Sequence, residues 1–344
     1  MKKTVAIIIS VLLIISLLPM AAFAGEKSDE VKAKMEAARD YLYGEKTEFT
    51  AAESLDFLLY LLAGGDGADF KDAYIQSVKD AFEAGSMNTA DRIALAGLCL
   101  KELDVDVNAF ELNDHSKIDL EQKIVDAGLT ADSPYNYFFV IAFAEDSTYL
   151  EQIQEELKAN YTQGSGYDYW GFGSDNSANF AAMSTDDELV ADAVNVVEKA
   201  KTDKGYYYLA EYGTDANGNS TASALFMYSI LENQDKADEV YALLVDNFTA
   251  ENGGFAYALG GTADNYATRD ALKALIYYNI ISQDEPQPET TTSSEDATTQ
   301  ATTAADSSAQ QSTPATGDSF AACGIAAVAV LALGVVVATR KKTK

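Results

Sequence analysis

The chain has 344 residues, and its 54 acidic against 24 basic side chains leave a net charge of −30. Such a surface repels nucleic acid, so a polyanionic partner is excluded as the main reading. A single histidine and two cysteines leave no disulfide framework and too few ligands for a zinc site.

Residues 1–24 read as a secretory signal peptide. Lys2 and Lys3 precede an apolar run from Val5 to Leu18, and Ala22-Phe23-Ala24 places cleavage between Ala24 and Gly25. From Ser28 onward the spacing of apolar residues predicts twelve helices. They fall at Ser28–Tyr43, Thr50–Leu62, Asp69–Ala84, Thr89–Leu103, Ile118–Ala127 and Ser133–Ala144 in the first half. In the second half they fall at Thr148–Asn160, Asn176–Ser184, Asp186–Lys201, Asn219–Leu231, Asp235–Phe248 and Tyr266–Ile280.

The helices alternate in character. TAAESLDFLLYLL and TADRIALAGLCLKEL are apolar on most sides, whereas their predecessors carry one charged face. The apolar members start alike, at Thr50, Thr89, Thr130, Thr221 and Ala267-Thr268, and recur at intervals of about 40 to 48 residues. Threonine at these starts fits N-capping. A helix apolar on most sides must be buried on most sides, whereas one with a charged face lies outside. The pattern predicts an all-α fold, an α/α toroid of six helical hairpins over residues 25–282, rather than an open solenoid with polar end caps.

Residues 283–312 are rich in Thr, Ser, Gln and Ala without apolar periodicity, and read as a disordered linker. Residues 313–344 contain Thr313-Pro314-Ala315-Thr316-Gly317, an uncharged apolar run over 319–339 and the basic tail Arg340, Lys341, Lys342 and Lys344. The run is long enough to cross a bilayer, and the tail keeps its end cytoplasmic.

Pentapeptide, span and tail together resemble the cell-wall sorting signal of Gram-positive bacteria, with Thr313 where leucine is usual. The resemblance implies sortase cleavage between Thr316 and Gly317 and linkage to peptidoglycan at the cell surface. The helical repeats resemble those of the prenyltransferase and squalene-cyclase type. The carriers are Gln163-Gly164-Ser165-Gly166-Tyr167, Trp170-Gly171-Phe172-Gly173, Asn217-Gly218-Asn219-Ser220-Thr221-Ala222, the segment Leu98–Leu112 and the stretch Glu251–Asn279. That resemblance implies the toroid fold, which hosts cyclases, transferases, cobalamin carriers and thioester proteins.

The residues do not supply the motifs those activities need. Asp104-Val105-Asp106-Val107 lacks the last Asp of a protonating cyclase acid, and Asp186-Asp187-Glu188-Leu189-Val190 lacks the last acid of a magnesium cluster. Gly97-Leu98-Cys99-Leu100 is not a thioester run, and His115 has no Gly-x-Ser-x-Gly partner. As a calcium loop, Asp104-x-Asp106-x-Asn108 has Ala109 where Gly is required and His115 at the closing acid. Asp168, Asp175, Asp186, Asp187 and Glu188 could form a carboxylate pair for glycan chemistry, but in so acidic a chain they read as solvated helix starts. No catalytic residue, metal or cofactor is assigned.

The loops entering the apolar helices should share one end of the ring. The first three are short, at Gly44–Phe49, Gly85–Asn88 and Gly128–Asp132. The last three are long and aromatic. They carry Tyr167, Tyr169, Trp170 and Phe172, then Tyr206, Tyr207, Tyr208 and Tyr212, then Phe255 and Tyr257. One reading makes these rings clamps between hairpins. The other makes them a rim that binds a glycan, peptide or small molecule. The expectation is a surface-anchored binding or adhesion module. The alternative is a glycan-active or cyclase-like enzyme, or a cobalamin-type carrier.

Overall fold

The computed structural model describes residues 26–131, 133–167 and 172–282. The signal peptide with its Ala24–Gly25 junction, the linker, the sorting signal with Thr316 and Gly317, and the 319–339 run lie outside the described residues, as do Asp168, Tyr169 and Trp170. Among the described residues no helix is long and apolar enough to cross a membrane.

Twelve α-helices account for most of the described residues. They are α1 (Glu26–Tyr43), α2 (Ser54–Leu62), α3 (Lys71–Glu83), α4 (Ala90–Glu102), α5 (Leu120–Ala127) and α6 (Tyr137–Phe143). Then come α7 (Ser147–Ala159), α8 (Gly173–Met183), α9 (Asp187–Lys199), α10 (Gly218–Ile230), α11 (Gln234–Phe248) and α12 (Asn265–Ser282). The alternation read from the sequence appears as burial. In α4 every residue from Ala90 to Leu100 except Arg92 is buried, and α8 and α10 are enclosed to a similar degree. By contrast α3 buries only Tyr74 and Val78, α5 only Leu120 and Ile124, and α9 only Ala193 and Val197. Each of those pairs is four residues apart, the single stripe of a helix with one face in the core.

The even-numbered helices contact one another in succession from α2 to α12, and α12 contacts α2 in turn. The first helix, α1, also packs on α12. Polar ties span the same junction: Arg269 Nε lies 2.9 Å from Asp56 Oδ1, and the Tyr241 hydroxyl donates to Glu30 at 3.1 Å. Phe138 of α6, Phe226 of α10 and Tyr277 of α12 meet edge-to-face with centroids 5.1–5.3 Å apart, so three non-adjacent segments share one aromatic core.

The repeated threonines divide by role. Thr50 forms a capping box with Glu53, and Thr89 precedes α4 in extended conformation as its N-cap. Thr221 and Thr268 instead lie buried inside their helices and bond back to the carbonyls of Asn217 and Asp264. Asn217 is the cap of α10, its side chain accepting from Ser220 N–H, and Asp264 accepts from the N–H groups of Tyr266 and Ala267. Thr130 opens no helix of its own; its carbonyl and hydroxyl accept from Ala90 N–H at the start of α4 and tie one repeat to the next.

Several boundaries depart from the sequence reading: α2 and α6 each begin four residues later than expected, after the 3₁₀ turns Ala51–Glu53 and Pro134–Asn136. The α8 helix begins at Gly173, three residues earlier than expected, which places Asp175 in its first turn. A two-stranded antiparallel ribbon, β1 (Phe110–Glu111) with β2 (Lys117–Ile118), lies between α4 and α5 and takes Ile118, expected as the first residue of the fifth helix. His115 sits at its tip with φ +64° and pairs with Glu111 at 3.0 Å.

Candidate functional site

A cavity of about 880 Å³ is lined by residues of α2, α6, α8, α10 and α12 and of the segments that lead into the last four. Its wall draws on α2, on the segment leading into α6, and on α8, α10 and α12. The loops entering the last three of these helices reach its mouth through Phe172, Tyr212 and Tyr257. All three rings are exposed, and Phe172 and Tyr212 lie 5.8 Å apart with planes tilted by 34°. Tyr266, at the start of α12, adds a fourth and is 71% exposed.

The expected aromatic rim therefore splits into two groups. Tyr167 is buried and stacks on Phe180 at 5.7 Å, while Phe255 is fully buried. Tyr207 is buried with its hydroxyl donating to Glu198 at 2.6 Å, and Tyr228 donates to the same carboxylate. Tyr206 donates to Asn247 and meets Phe248 edge-on, and Tyr208 donates to the Lys199 carbonyl. The rings or hydroxyls of these five are already used within the fold, and Tyr206 reaches the next hairpin at Asn247 and Phe248. Phe172, Tyr212 and Tyr257 are the members of the described set that face the cavity.

The polar part of the wall comes from helix interiors. Asn219 Nδ2 donates to Asp270 Oδ2 at 2.7 Å. Lys273 Nζ donates to Asn179 Oδ1 at 3.1 Å, linking α12 to α8, and lies 4.2 Å from the Phe226 ring centroid. Asn179 is oriented in turn by its Nδ2, which donates to the Asp175 carbonyl. Asp175 and Asp270 both line the cavity.

The ionisation of this group is disturbed in a consistent way. Burial pushes the Asp175 carboxyl up to about 7; the charges of Asp270 and Glu211 add to this, and the hydroxyls of Ser220 and Ser174 oppose it. Burial also raises Asp270, against the pull of Lys273, Asn219 and Arg269. Lys273 is lowered by burial, although Asp270 and Asp175 favour its charge. Opposed carboxyls and an ammonium in a poorly solvated recess are each shifted toward neutrality. Such a recess can hold and exchange protons near neutral pH and can hydrogen-bond a polar ligand.

Among the described residues, the carboxylates proposed from sequence are separated by the fold. Asp175 faces the cavity, which corrects its reading as a solvated helix start. Asp186 caps α9 through the N–H groups of Glu188 and Leu189 and pairs with Lys158 at 3.0 Å, and Asp187 and Glu188 are exposed beside it. Asp270, Lys273, Asn179 and Asn219, which are not among the expected site residues, lie in helices and not in the aromatic loops. Their signal was present: they are polar residues inside helices that are otherwise apolar, and such residues need partners.

Cys99 is wholly buried and its thiol is pushed up to about 12 by burial, so it is a packing residue and not a nucleophile. Among the described residues no group of three or more His, Cys, Asp or Glu side chains is placed to hold a metal ion. No protein-family model matches the chain, and a search of curated proteins finds no significant match.

Proposed function

We propose that residues 25–282 form an α/α toroid displayed at a bacterial cell surface, and that its cavity binds a glycan. The toroid reading rests on the return of α12 to α2 after the even-numbered helices have met in turn. The surface reading rests on the signal-like start, the linker and the sorting-signal-like end of the chain.

The observation that carries the ligand class is the pairing of four exposed rings at the mouth with Asn, Asp and Lys side chains on the wall. Aromatic faces stack on the C–H faces of sugars, while amides and carboxylates accept and donate to hydroxyls.

Binding is tested by titrating the full chain with soluble oligosaccharides from wall polysaccharide. Tyr212→Ala is expected to weaken binding about tenfold or more with an unchanged urea midpoint. Tyr207→Ala is expected to cost about 3–5 kcal/mol of stability. Equal binding by wild type and Tyr212→Ala at matched stability argues against the cavity as the site.

A second reading, a glycan-active enzyme, is favoured by one specific observation: Asp175 and Asp270 share one cavity. Retaining and inverting glycosidases both use such a pair of carboxyl groups. Release of new reducing ends by wild type, absent in Asp175→Asn, would support it.

A further inference from the structure

We propose that the ligand of this cavity carries a protonated amine, received by Asp175, Asp270 and the amide oxygen of Asn219. The inference rests on the binding reading above and names the chemical class of the ligand more narrowly.

Charge on the wall is the first argument. Asp175 and Asp270 stand against Lys273 and Arg269, while Asp264 is used by the N–H groups of Tyr266 and Ala267. Arg269 is matched by Asp56, which is not a cavity residue, at 2.9 Å. Lys273 is engaged with Asn179 and with the face of Phe226. Two cavity carboxyls, Asp175 and Asp270, are thus left to share the one ammonium of Lys273. A cation entering the recess offsets a like-charge repulsion that a neutral sugar leaves in place.

An unmet acceptor is the second argument. Asn219 donates through Nδ2 to Asp270, while its Oδ1 is buried without a hydrogen-bond partner among the described residues. A buried acceptor in that state costs free energy until a donor arrives. An ammonium brings three donors and no acceptor. It suits a carboxylate-and-amide set that already holds more acceptors than donors.

The mouth supplies the third. Phe172, Tyr212, Tyr257 and Tyr266 present rings whose faces attract cations as well as sugar C–H groups. One ligand class uses all three features: an amino sugar, whose ring stacks at the mouth while its free amine meets the acids. Asp175 is raised in the empty cavity chiefly by burial, so seating an ammonium beside it expels a proton to solvent.

The test compares three oligosaccharides of equal length by calorimetry on the full chain at pH 7: glucosamine, N-acetylglucosamine and glucose oligomers. The glucosamine oligomer is expected to bind at least about tenfold tighter than the other two, with a heat that depends on buffer ionisation. Asp175→Asn, which carries an uncharged amide of the same shape, should reduce that preference to about twofold. The glucosamine oligomer should lose more affinity on this substitution than the acetylated and neutral oligomers do. If all three bind wild type equally, the amine inference is overturned and the glycan reading stands. If none binds, both are overturned. An amine preference that survives in both Asp175→Asn and Asp270→Asn also overturns the assignment of these acids.

Discussion

Asp175 is the residue whose ionisation couples the site to the stability of the chain. Unfolded, its carboxyl titrates near ~3.9. Folded, burial raises it to about 7, with Asp270 and Glu211 adding and Lys273 near enough to feel its charge. Between those values the native state holds more protons than the unfolded state, so stability falls as pH rises through the window. The loss is at most about 4 kcal/mol and is reduced by water entering the open cavity. Asp175→Asn should therefore match wild type near pH 4 and exceed it in melting temperature at pH 8. Parallel melting profiles from pH 4 to 8 would show that the carboxyl is not raised in the folded state.

At the scale of elements, two glycines set how closely the helices approach. A Cβ on Gly97 of α4 would lie 2.3 Å from the Phe143 ring of α6, a contact between two helix cores. A Cβ on Gly218, the first residue of α10, would lie 2.3 Å from the carbonyl oxygen of Ala256. The second clash is with backbone, and that backbone carries Tyr257: Gly218 N–H donates to the Tyr257 carbonyl at 2.8 Å, and Asn217 bridges to Ala258. Gly97→Ala should cost about 1–3 kcal/mol and leave ligand binding intact. Gly218→Ala should lower both the urea midpoint and the oligosaccharide affinity, because relief of the clash displaces a ring at the cavity mouth. Unaltered affinity in Gly218→Ala would separate the α10 start from the site.

At the scale of the whole molecule, the return of α12 to α2 and α1 joins the first and last helices in one packing unit. Val31 on α1 and Leu272 on α12 are both fully buried. Truncating either to alanine removes core contacts on the order of 2–4 kcal/mol. In a closed ring both substitutions should shift one cooperative transition, seen alike by circular dichroism and by tyrosine fluorescence. An open array passes stability only between neighbours, so an end can melt separately. Two resolved transitions in Val31→Ala would favour the open array.

The helices were legible in the sequence because their signal is local. Apolar spacing of three and four, interrupted by Gly64-Gly65 and Gly85, places element boundaries within a few residues, and the contrast between TADRIALAGLCLKEL and KDAYIQSVKDAFE sorts enclosed helices from half-buried ones. The presence of rings in three successive loops was equally legible. Which rings are clamps was decided only by tertiary structure: Tyr207 and Tyr212 lie five positions apart in one loop, yet one meets Glu198 in the core and the other faces the cavity. The polar residues of the wall were visible in one dimension as exceptions inside apolar helices, but their grouping was not. Lys273 and Asn179 stand 94 residues apart, and Asn219 and Asp270 stand 51 apart. Local periodicity determines what each helix buries, but only the packing of non-neighbouring helices determines which of their polar residues share one recess.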